Sequence, residues 1–347
     1  MLAPLGAVHS ACRAEGSAVI LAGDIGATNS RLGLFEAGED RPRQQYVHEF
    51  PTADYRTLTD VVAAFLESAP NAPVAVQGAC FGVAGPVLGD TAELTNVDFT
   101  IDAQAIASAF DIPRVALLND LAAMAHSVTV LRADELHELQ SGSATARGNM
   151  ALIAAGTGLG QAVLHQVGDR FIPVASESGH ADWAARTERD IVVLRAITAR
   201  HGRAEVEQVM SGLGLRNLHR ALHTGVCAAG IKPDDEGIAA ALTRAALERR
   251  CASCVEALEV FVDAYGAESG NLALRCLATR GVFIGGGIAP QILPALTDGR
   301  FIQAFNDKGS MRPLVERVPV RVILNADAGL LGAAVHAAAL VSSTHRP

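Results

Sequence analysis

The segment Gly23-Asp24-Ile25-Gly26-Ala27-Thr28-Asn29-Ser30-Arg31 decides the fold, because it joins two short apolar runs through a tip of small residues. Runs 18–24 and 30–36 predict two strands, so the segment between them predicts a β-hairpin. Small residues let backbone N–H groups approach a phosphate, Thr28 adds a hydroxyl donor, and Asp24 is suited to hold Mg²⁺ through water. An ordinary tight hairpin turn also explains the stretch.

The same pattern returns in the second half of the chain, at Ala154-Ala155-Gly156-Thr157-Gly158-Leu159-Gly160. Two such hairpins predict two related α/β lobes that hold a triphosphate from both sides of a cleft. Neither loop has the trailing Lys of a Walker A loop or the strand–loop–helix setting of a dinucleotide fingerprint. Helical periodicity follows, including residues 205–210 and 248–278.

A third glycine run, Gly285-Gly286-Gly287, ends an apolar strand and opens a helix. This arrangement suits a flat group such as adenosine lying against the backbone, with the helix N-terminus near its phosphates. A crowded strand–helix junction is the alternative interpretation.

Two polar clusters supply candidate ligand-binding residues. Asn119 and Asp120 follow a buried strand, and ligands of open α/β folds bind at the carboxyl edge of the sheet. Either side chain also suits a plain helix cap. Glu177 and His180, in Glu177-Ser178-Gly179-His180, suit the hydroxyls of a sugar, whereas a zinc site would need more ligands at matching spacing.

The six cysteines are scattered, which indicates reduced thiols in a cytosolic protein rather than a disulfide framework. Cys251 and Cys254 have CxxC spacing inside a helical pattern but lack a second pair, so we interpret them as packing residues. Five histidines without a partner pattern are expected at the surface or in caps: His126, His165, His201, His219 and His223.

Length and charge limit the class of protein. The 347 residues correspond to about two domains, and 50% hydrophobic with 19% charged residues predicts a large core. A net charge of −9 argues against a nucleic-acid partner. No apolar run predicts a membrane span, and residues 1–16 lack the pattern of a signal peptide, so a mobile extension is expected there.

Together these motifs resemble the bacterial glucokinases of the hexokinase/actin-like ATPase superfamily, over residues 19–339. Further matching segments are LTNVDF (94–99), SGLGLRNL (211–218) and AGLLGAA (328–334). The resemblance implies an α/β, two-lobed actin-like ATPase (ribonuclease H-like) fold with ATP and sugar in the interlobe cleft. We expect an extension at 1–18, a small domain at 19–130 plus 325–347, and a large domain at 131–324.

The resemblance also implies the site. Asp120 is expected as the catalytic base, and the glucose ligands would be Asn119, Asp120, Gly158, Glu177, His180 and Glu207. The residues expected to bind the phosphates of ATP are Gly23, Asp24, Ile25, Gly26, Ala27, Thr28, Gly156 and Thr157. Those expected to bind the adenosine are Gly285, Gly286 and Gly287. Asp24 would hold Mg²⁺ through water. We expect a cytoplasmic homodimer that binds glucose and has neither nucleic acid nor a membrane as a partner.

Departures from the pattern leave alternatives open. Ala27 stands where such kinases usually carry a second glycine, and a positive φ there would cost about 1–2 kcal/mol. The cysteine-rich zinc motif of ROK-type relatives is missing, and no helix-turn-helix precedes the first strand, so the chain resembles the non-ROK branch and not a repressor. The rival functions are a kinase for another hexose or amino sugar, a catalytically silent sugar-binding regulator, and an actin-like structural ATPase.

Overall fold

The computed structural model describes residues 18–70, 75–94, 99–223, 225–232 and 237–342. Its strands are β1 (Val19–Ile25), β2 (Asn29–Glu36), β3 (Arg43–Pro51), β4 (Gly78–Val83), β5 (Val87–Leu88), β6 (Thr91–Glu93), β7 (Thr100–Asp102), β8 (Val115–Asn119), β9 (Leu136–Gln140), β10 (Met150–Ala155), β11 (Leu159–Val167), β12 (Arg170–Ser176), β13 (Gly281–Gly285) and β14 (Val320–Ile323). Its α-helices are α1 (Leu58–Ser68), α2 (Ala103–Phe110), α3 (Asp120–Ser127), α4 (Glu188–His201), α5 (Gly212–Leu222), α6 (Ile238–Leu247), α7 (Ala252–Cys276), α8 (Ile288–Gln291), α9 (Leu293–Leu296), α10 (Arg300–Asn306), α11 (Arg312–Val315) and α12 (Ala328–Ser342).

Two large sheets repeat one topology. The first has the strand order β3-β2-β1-β4-β8, and the second has β12-β11-β10-β13-β14-β9. In each sheet the opening strand pairs antiparallel with its hairpin partner and parallel with the next long strand, β4 or β13. A small sheet, β5-β6-β7, is separate. The prediction of two related α/β lobes is confirmed.

Helices cover the central strands of both sheets, which explains why those strands read as continuous apolar runs. In the first lobe, α12 packs on β1 and β4 and also against α3. In the second lobe, the long helix α7 buries Tyr265, whose hydroxyl lies 3.3 Å from the carbonyl of Ile153 and 3.4 Å from that of Gly285. Tyr265 therefore supports the ends of β10 and β13, where two of the glycine runs begin.

The chain crosses between the two sheets twice. The first sheet and its helices use residues 19–127 and 328–342, and the second sheet and its helices use 136–323. We place the boundaries of the proposed domains in the two segments between. Helix α3 contributes Leu121 to a buried cluster with Leu152 and Leu164 of the second sheet, so it joins the lobes.

Several local expectations were wrong. Residues 205–210 are not helical, because the backbone N–H groups of Val206 and Glu207 donate to Ala181 and Gly179 instead of within a helix. The helix expected from residue 248 begins at Ala252, after Arg249 takes a positive φ. The expected extension 1–18, apart from Ala18, and residues 95–98 of the LTNVDF motif lie outside the described residues.

The histidine expectation was also partly wrong. His219 is buried, at 2% exposed, and His126 is half-buried between α3 and α12, where its ring lies 4.7 Å from that of His336. Throughout the described chain, the helices are too short or too polar to cross a bilayer.

Candidate active site

The first glycine-rich hairpin joins β1 to β2. The N–H of Gly26 donates to the carbonyl of Asn29 over 2.9 Å, which closes the tip. The tip is also held from the side, because Thr52 donates its backbone N–H to Thr28 and its hydroxyl to the carbonyl of Gly26. Ala27 and Thr28 are exposed at this tip.

Ala27 is not strained. The non-glycine residues with positive φ in the described segments are Asp111, Arg249 and Leu277. Ala27 therefore has a backbone conformation that any L-residue adopts, and the strain that a positive φ would impose does not arise. The substitution of glycine by alanine in this loop carries no conformational penalty here.

Asp24 is the residue before the end of β1 and has charged neighbours. Across the hairpin it faces Arg31, which pairs with Asp327 over 2.6 Å. The start of α12 lies close, since a Cβ on Gly329 would lie 2.8 Å from Asp24 Oδ2. Burial raises the pKa of Asp24 to about 6; the charges of Asp120 and Asp327 add to the shift and Arg31 opposes it. Such a carboxylate favours a cation nearby.

Asn119 and Asp120 share the junction of β8 and α3. Asn119 is the cap of α3, since its Oδ1 accepts the N–H of Leu121 over 3.0 Å. Asp120 Oδ1 accepts the same N–H over 2.8 Å. The Asp120 side chain opens to solvent in the cleft while protein surrounds its other sides, and this burial raises its pKa, against the opposing bond from Leu121. Asn119 and Asp120 therefore cap α3, and the Asp120 carboxylate is still accessible from the cleft.

Glu207 contacts the second glycine-rich hairpin. Its Oε2 accepts the N–H of Leu159 over 2.8 Å, and a Cβ on Gly158 would lie only 2.5 Å from that oxygen. Its backbone N–H donates to Gly179 over 2.8 Å. Glycine at 158 therefore leaves the room that this carboxylate occupies. The sequence around Glu207 gave no signal of its own. Its contact with Leu159 depends on a turn at residues 205–210, whereas the sequence pattern of these residues predicts a helix.

Glu177 and His180 differ in their placement. Glu177 lines the cleft and is exposed. The His180 side chain, 55% exposed, lies with Nδ1 2.9 Å from Glu205 Oε2, and that bond raises its pKa. Arg203 donates to the carbonyl of His180 over 2.8 Å. His180 is therefore oriented by the carboxylate of Glu205, a residue that no motif in the sequence indicates.

A cavity of about 440 Å³ gathers candidate residues from both lobes. The predicted residues that line it are Asn119, Asp120, Gly156, Thr157, Gly158, Glu177, Glu207, Gly286 and Gly287. The predicted residues outside its lining are Gly23, Asp24, Ile25, Gly26, Ala27, Thr28, His180 and Gly285. A larger cavity, about 620 Å³, lies beside Arg41 and Glu135 and contains none of the predicted glucose or nucleotide residues.

The third glycine run combines both interpretations offered for it. Gly285 is buried, and its Cβ would lie 2.9 Å from Met124 Sδ. Gly286 has a φ of +82°, and a Cβ there would collide with the carbonyl of Ala155. Gly287 has open space around it and lines the cavity. The first two glycines make the crowded junction, and the third is free to contact a ligand.

Comparisons with known proteins cover nearly the whole chain. The sequence model of the Glucokinase family matches residues 21–340. Glucokinase of Nostoc punctiforme is 38% identical over 342 residues, which span 93% of this chain and 99% of that protein. Glucokinase from an Antarctic psychrotroph has a crystal structure with a TM-score of 0.81 at 30% identity, covering 92% of this chain and 98% of the other.

A more distant structure shares the fold alone. The ROK family glucokinase from Streptomyces griseus, solved in complex with glucose and AMPPNP, has a TM-score of 0.61 at 21% identity and covers 92% of this chain and 99% of that one. The repeated sheets around a polar cleft place the protein in the class of two-lobed kinases with the actin-like ATPase fold. Within that class, the chain belongs to the glucokinase family.

Proposed function

We propose that the protein transfers the γ-phosphoryl group of ATP to the 6-hydroxyl of glucose, with Asp120 as the general base. The observation that carries the proposal is the cavity in which Asn119 and Asp120 of one lobe lie with Glu177 and Glu207 of the other. Carboxylates and an amide match the hydroxyls of a sugar, and the turn at Gly156–Gly158, beside them, offers backbone N–H groups to phosphates.

Asp120 suits the proton transfer. As the sugar O6 forms its bond to the γ-phosphorus and the bond from phosphorus to the ADP oxygen breaks, the hydroxyl proton passes to the Asp120 carboxylate. Its raised pKa makes the carboxylate more basic than an ordinary aspartate. General-base assistance of this kind contributes roughly 10²–10⁴-fold. Alignment of the reactants by the two lobes supplies much of the remaining acceleration.

Asp24 is the residue proposed to hold Mg²⁺. Its half-buried carboxylate, near the carboxylates of Asp120 and Asp327, is a set of oxygen donors that fits a hard, hydrated cation. When bound, Mg²⁺ neutralises charge on the β- and γ-phosphates. Arg31 holds Asp327 by its ion pair and so leaves Asp24 available to the cation.

The sugar is proposed to be glucose, and the main rival is a kinase for another hexose or an amino sugar. A coupled assay with ATP across glucose, mannose, fructose and N-acetylglucosamine separates these, and we expect the highest kcat/KM for glucose. Formation of glucose 6-phosphate also excludes the silent regulator and the structural ATPase. A homodimer in the cytoplasm remains part of the proposal, supported by the family relationship.

The role of Asp120 is tested by Asp120→Ala and Asp120→Asn. Asparagine keeps an oxygen for the N–H of Leu121, so α3 retains its start. We expect both variants to bind glucose measurably and to lose at least about two orders of magnitude in kcat. Asp169→Asn, at the exposed turn between β11 and β12, is the matched control. Near-normal turnover in Asp120→Asn would exclude Asp120 as the base.

A further inference from the structure

Three cysteine thiols meet in the second lobe, away from the cleft. Cys251 and Cys254 lie at the start of α7, and Cys227 lies in the segment after α5. The Sγ atom of Cys227 is 3.7 Å from that of Cys251 and 3.8 Å from that of Cys254. All three are buried, and none is in a disulfide. They form a compact cluster of potential thiolate ligands.

The spacing of the sulfurs matches a metal site. A disulfide bond is about 2.05 Å long, so these thiols are unbonded. Thiolates that bind Zn²⁺ at about 2.3 Å in a tetrahedron lie about 3.8 Å from one another. Packed thiols alone can also reach such distances, so the spacing needs a second observation.

His219 provides that observation. It is 2% exposed, and neither ring nitrogen has a hydrogen-bond partner among the described residues. Burial of an imidazole without a partner is unfavourable, because both nitrogens lose their bonds to water. Potential ligand atoms of His219, His223 and Cys227 lie within 4.8 Å of one another, as do those of Cys227, Cys251 and Cys254. Cys227 thus joins the unpartnered imidazole to the thiols.

We propose that Cys227, Cys251, Cys254 and His219 form a structural zinc site. Three thiolates and one imidazole are a ligand set that selects Zn²⁺ among common divalent cations, whereas iron–sulfur clusters are usually held by four cysteines. His219 is a better fourth ligand than His223, whose Nδ1 already accepts the N–H of Gly225 over 3.0 Å. A site with four protein ligands has no open position for a substrate, so its role is structural.

The zinc would join two helices that support the cleft. At the other end of α5, the N–H of Gly212 donates to the carbonyl of Gly156 over 2.8 Å, and the Ser211 hydroxyl donates to the carbonyl of Glu207 over 2.7 Å. The metal would fix His219, about 10 Å from Gly212 along the axis of this helix, to the start of α7. The CxxC motif alone could not predict this, because the other ligands come from positions 219 and 227.

Metal content of the full-length protein tests the proposal. We expect about one zinc per chain by elemental analysis after purification without chelators. When a mercurial reagent titrates the thiols, the amount of zinc released should be proportional to the number of thiols that have reacted. Cobalt substitution should give thiolate-to-cobalt charge-transfer bands and the intense visible bands of a tetrahedral ion. In the Cys251→Ser/Cys254→Ser double variant both signals should be lost, and Tm should fall by at least about 5 °C. Cys276→Ser, at the opposite end of α7, is the control and should retain zinc.

Three results would overturn the proposal. One is a wild-type protein that holds no zinc as purified or after anaerobic loading. Another is cobalt bound without thiolate bands. The third is a double variant that keeps its zinc. If the double variant does not fold, the mercurial titration of the wild type still decides, because it needs no variant. His219→Ala then assigns the fourth ligand: it should weaken zinc retention against a chelator at least about tenfold, with His223→Ala as comparison.

Discussion

Asp24 and Asp120 are two neighbouring carboxylates with raised pKa values. Burial raises the pKa of each, and the charge of Asp120 is among the causes of the Asp24 shift. When no cation is present, the negative charge of one carboxylate therefore disfavours ionisation of the other. A divalent cation near Asp24 should relieve this, because positive charge favours the ionised form of both groups.

This competition predicts a magnesium-dependent acid limb in the pH profile. Asp24 binds a proton below pH about 6 and is ionised above it, so kcat/KM for ATP at limiting Mg²⁺ should fall as pH drops through about 6. Excess Mg²⁺ should move this limb to lower pH, because the cation displaces the proton. The measurement is the profile of kcat/KM at two Mg²⁺ concentrations.

The control for the magnesium effect is a change in glucose concentration at fixed Mg²⁺, which should leave the limb in place. An acid limb that Mg²⁺ does not move would assign the titration to another group and contradict the role of Asp24. Asp24→Asn should in addition raise the Mg²⁺ concentration needed for half-maximal rate by at least about tenfold, with Asp169→Asn unchanged.

Single residues also show which parts of the candidate sites the sequence can predict. Asp24, Asn119 and Asp120 became candidates because they lie at or just after the end of an apolar strand, where ligands of open α/β folds bind. The local pattern around Asp120 favours a helix cap, and only the resemblance to the glucokinases implied its role as the base. Glu207 and His219 gave no such signal. The contact of Glu207 with Leu159 and the burial of His219 both depend on which distant segments pack together, and no local pattern records that.

At the scale of elements, α3 and α12 cross at close range. A Cβ on Gly332 of α12 would collide with the carbonyl of Ala123 of α3, so the helices approach through glycine. Helix α3 begins at Asp120, and Gly329, the second residue of α12, lies beside Asp24. The packing of these two helices therefore sets the separation of Asp24 and Asp120, the two carboxylates proposed to act in catalysis. The sequence showed both helices but not that they touch.

Gly332→Ala should therefore disturb both stability and catalysis. We expect a loss of about 2–4 kcal/mol in the free energy of unfolding, because backbone of α3 must move, and a fall in kcat/KM of at least about tenfold. Denaturant unfolding and the coupled assay measure the two effects. Ala339→Ser adds one heavy atom on the exposed side of the same helix and is the matched control. Unchanged stability in Gly332→Ala would show that the crossing is looser than described.

At the scale of the whole molecule, the two crossover segments are tied together at one point. Glu135 accepts two bonds from Arg41, at 2.5 and 2.8 Å, and one from Asn325, at 2.7 Å. The bond from Arg41 lowers the pKa of Glu135 to about 2, so the pair is ionised throughout the physiological range. We expect this junction, where the chain passes between the lobes, to act as their hinge.

Glucose should draw the lobes together about this junction, because its proposed ligands come from both sides: Asn119 and Asp120 from one lobe, Glu177 and Glu207 from the other. We expect the radius of gyration, about 20 Å for a globular chain of this length, to fall by roughly 0.5–1 Å on saturation with glucose. Small-angle X-ray scattering at one protein concentration, with and without glucose, measures this.

Trp183, the single tryptophan, gives an independent signal of the same event. Its backbone N–H donates to Ala204 over 3.0 Å, and its neighbour Asp182 bridges to Glu205, so it joins the loop of Glu177 to the turn of Glu207. Fluorescence should therefore change with glucose at the same midpoint as the scattering, and Asp120→Asn should keep the response while losing turnover. L-Glucose is the control ligand, and Trp183→Phe should abolish the signal. A fluorescence titration without any change in scattering would mean that the sugar site forms without movement of the lobes, because the loop and the turn both belong to the second lobe.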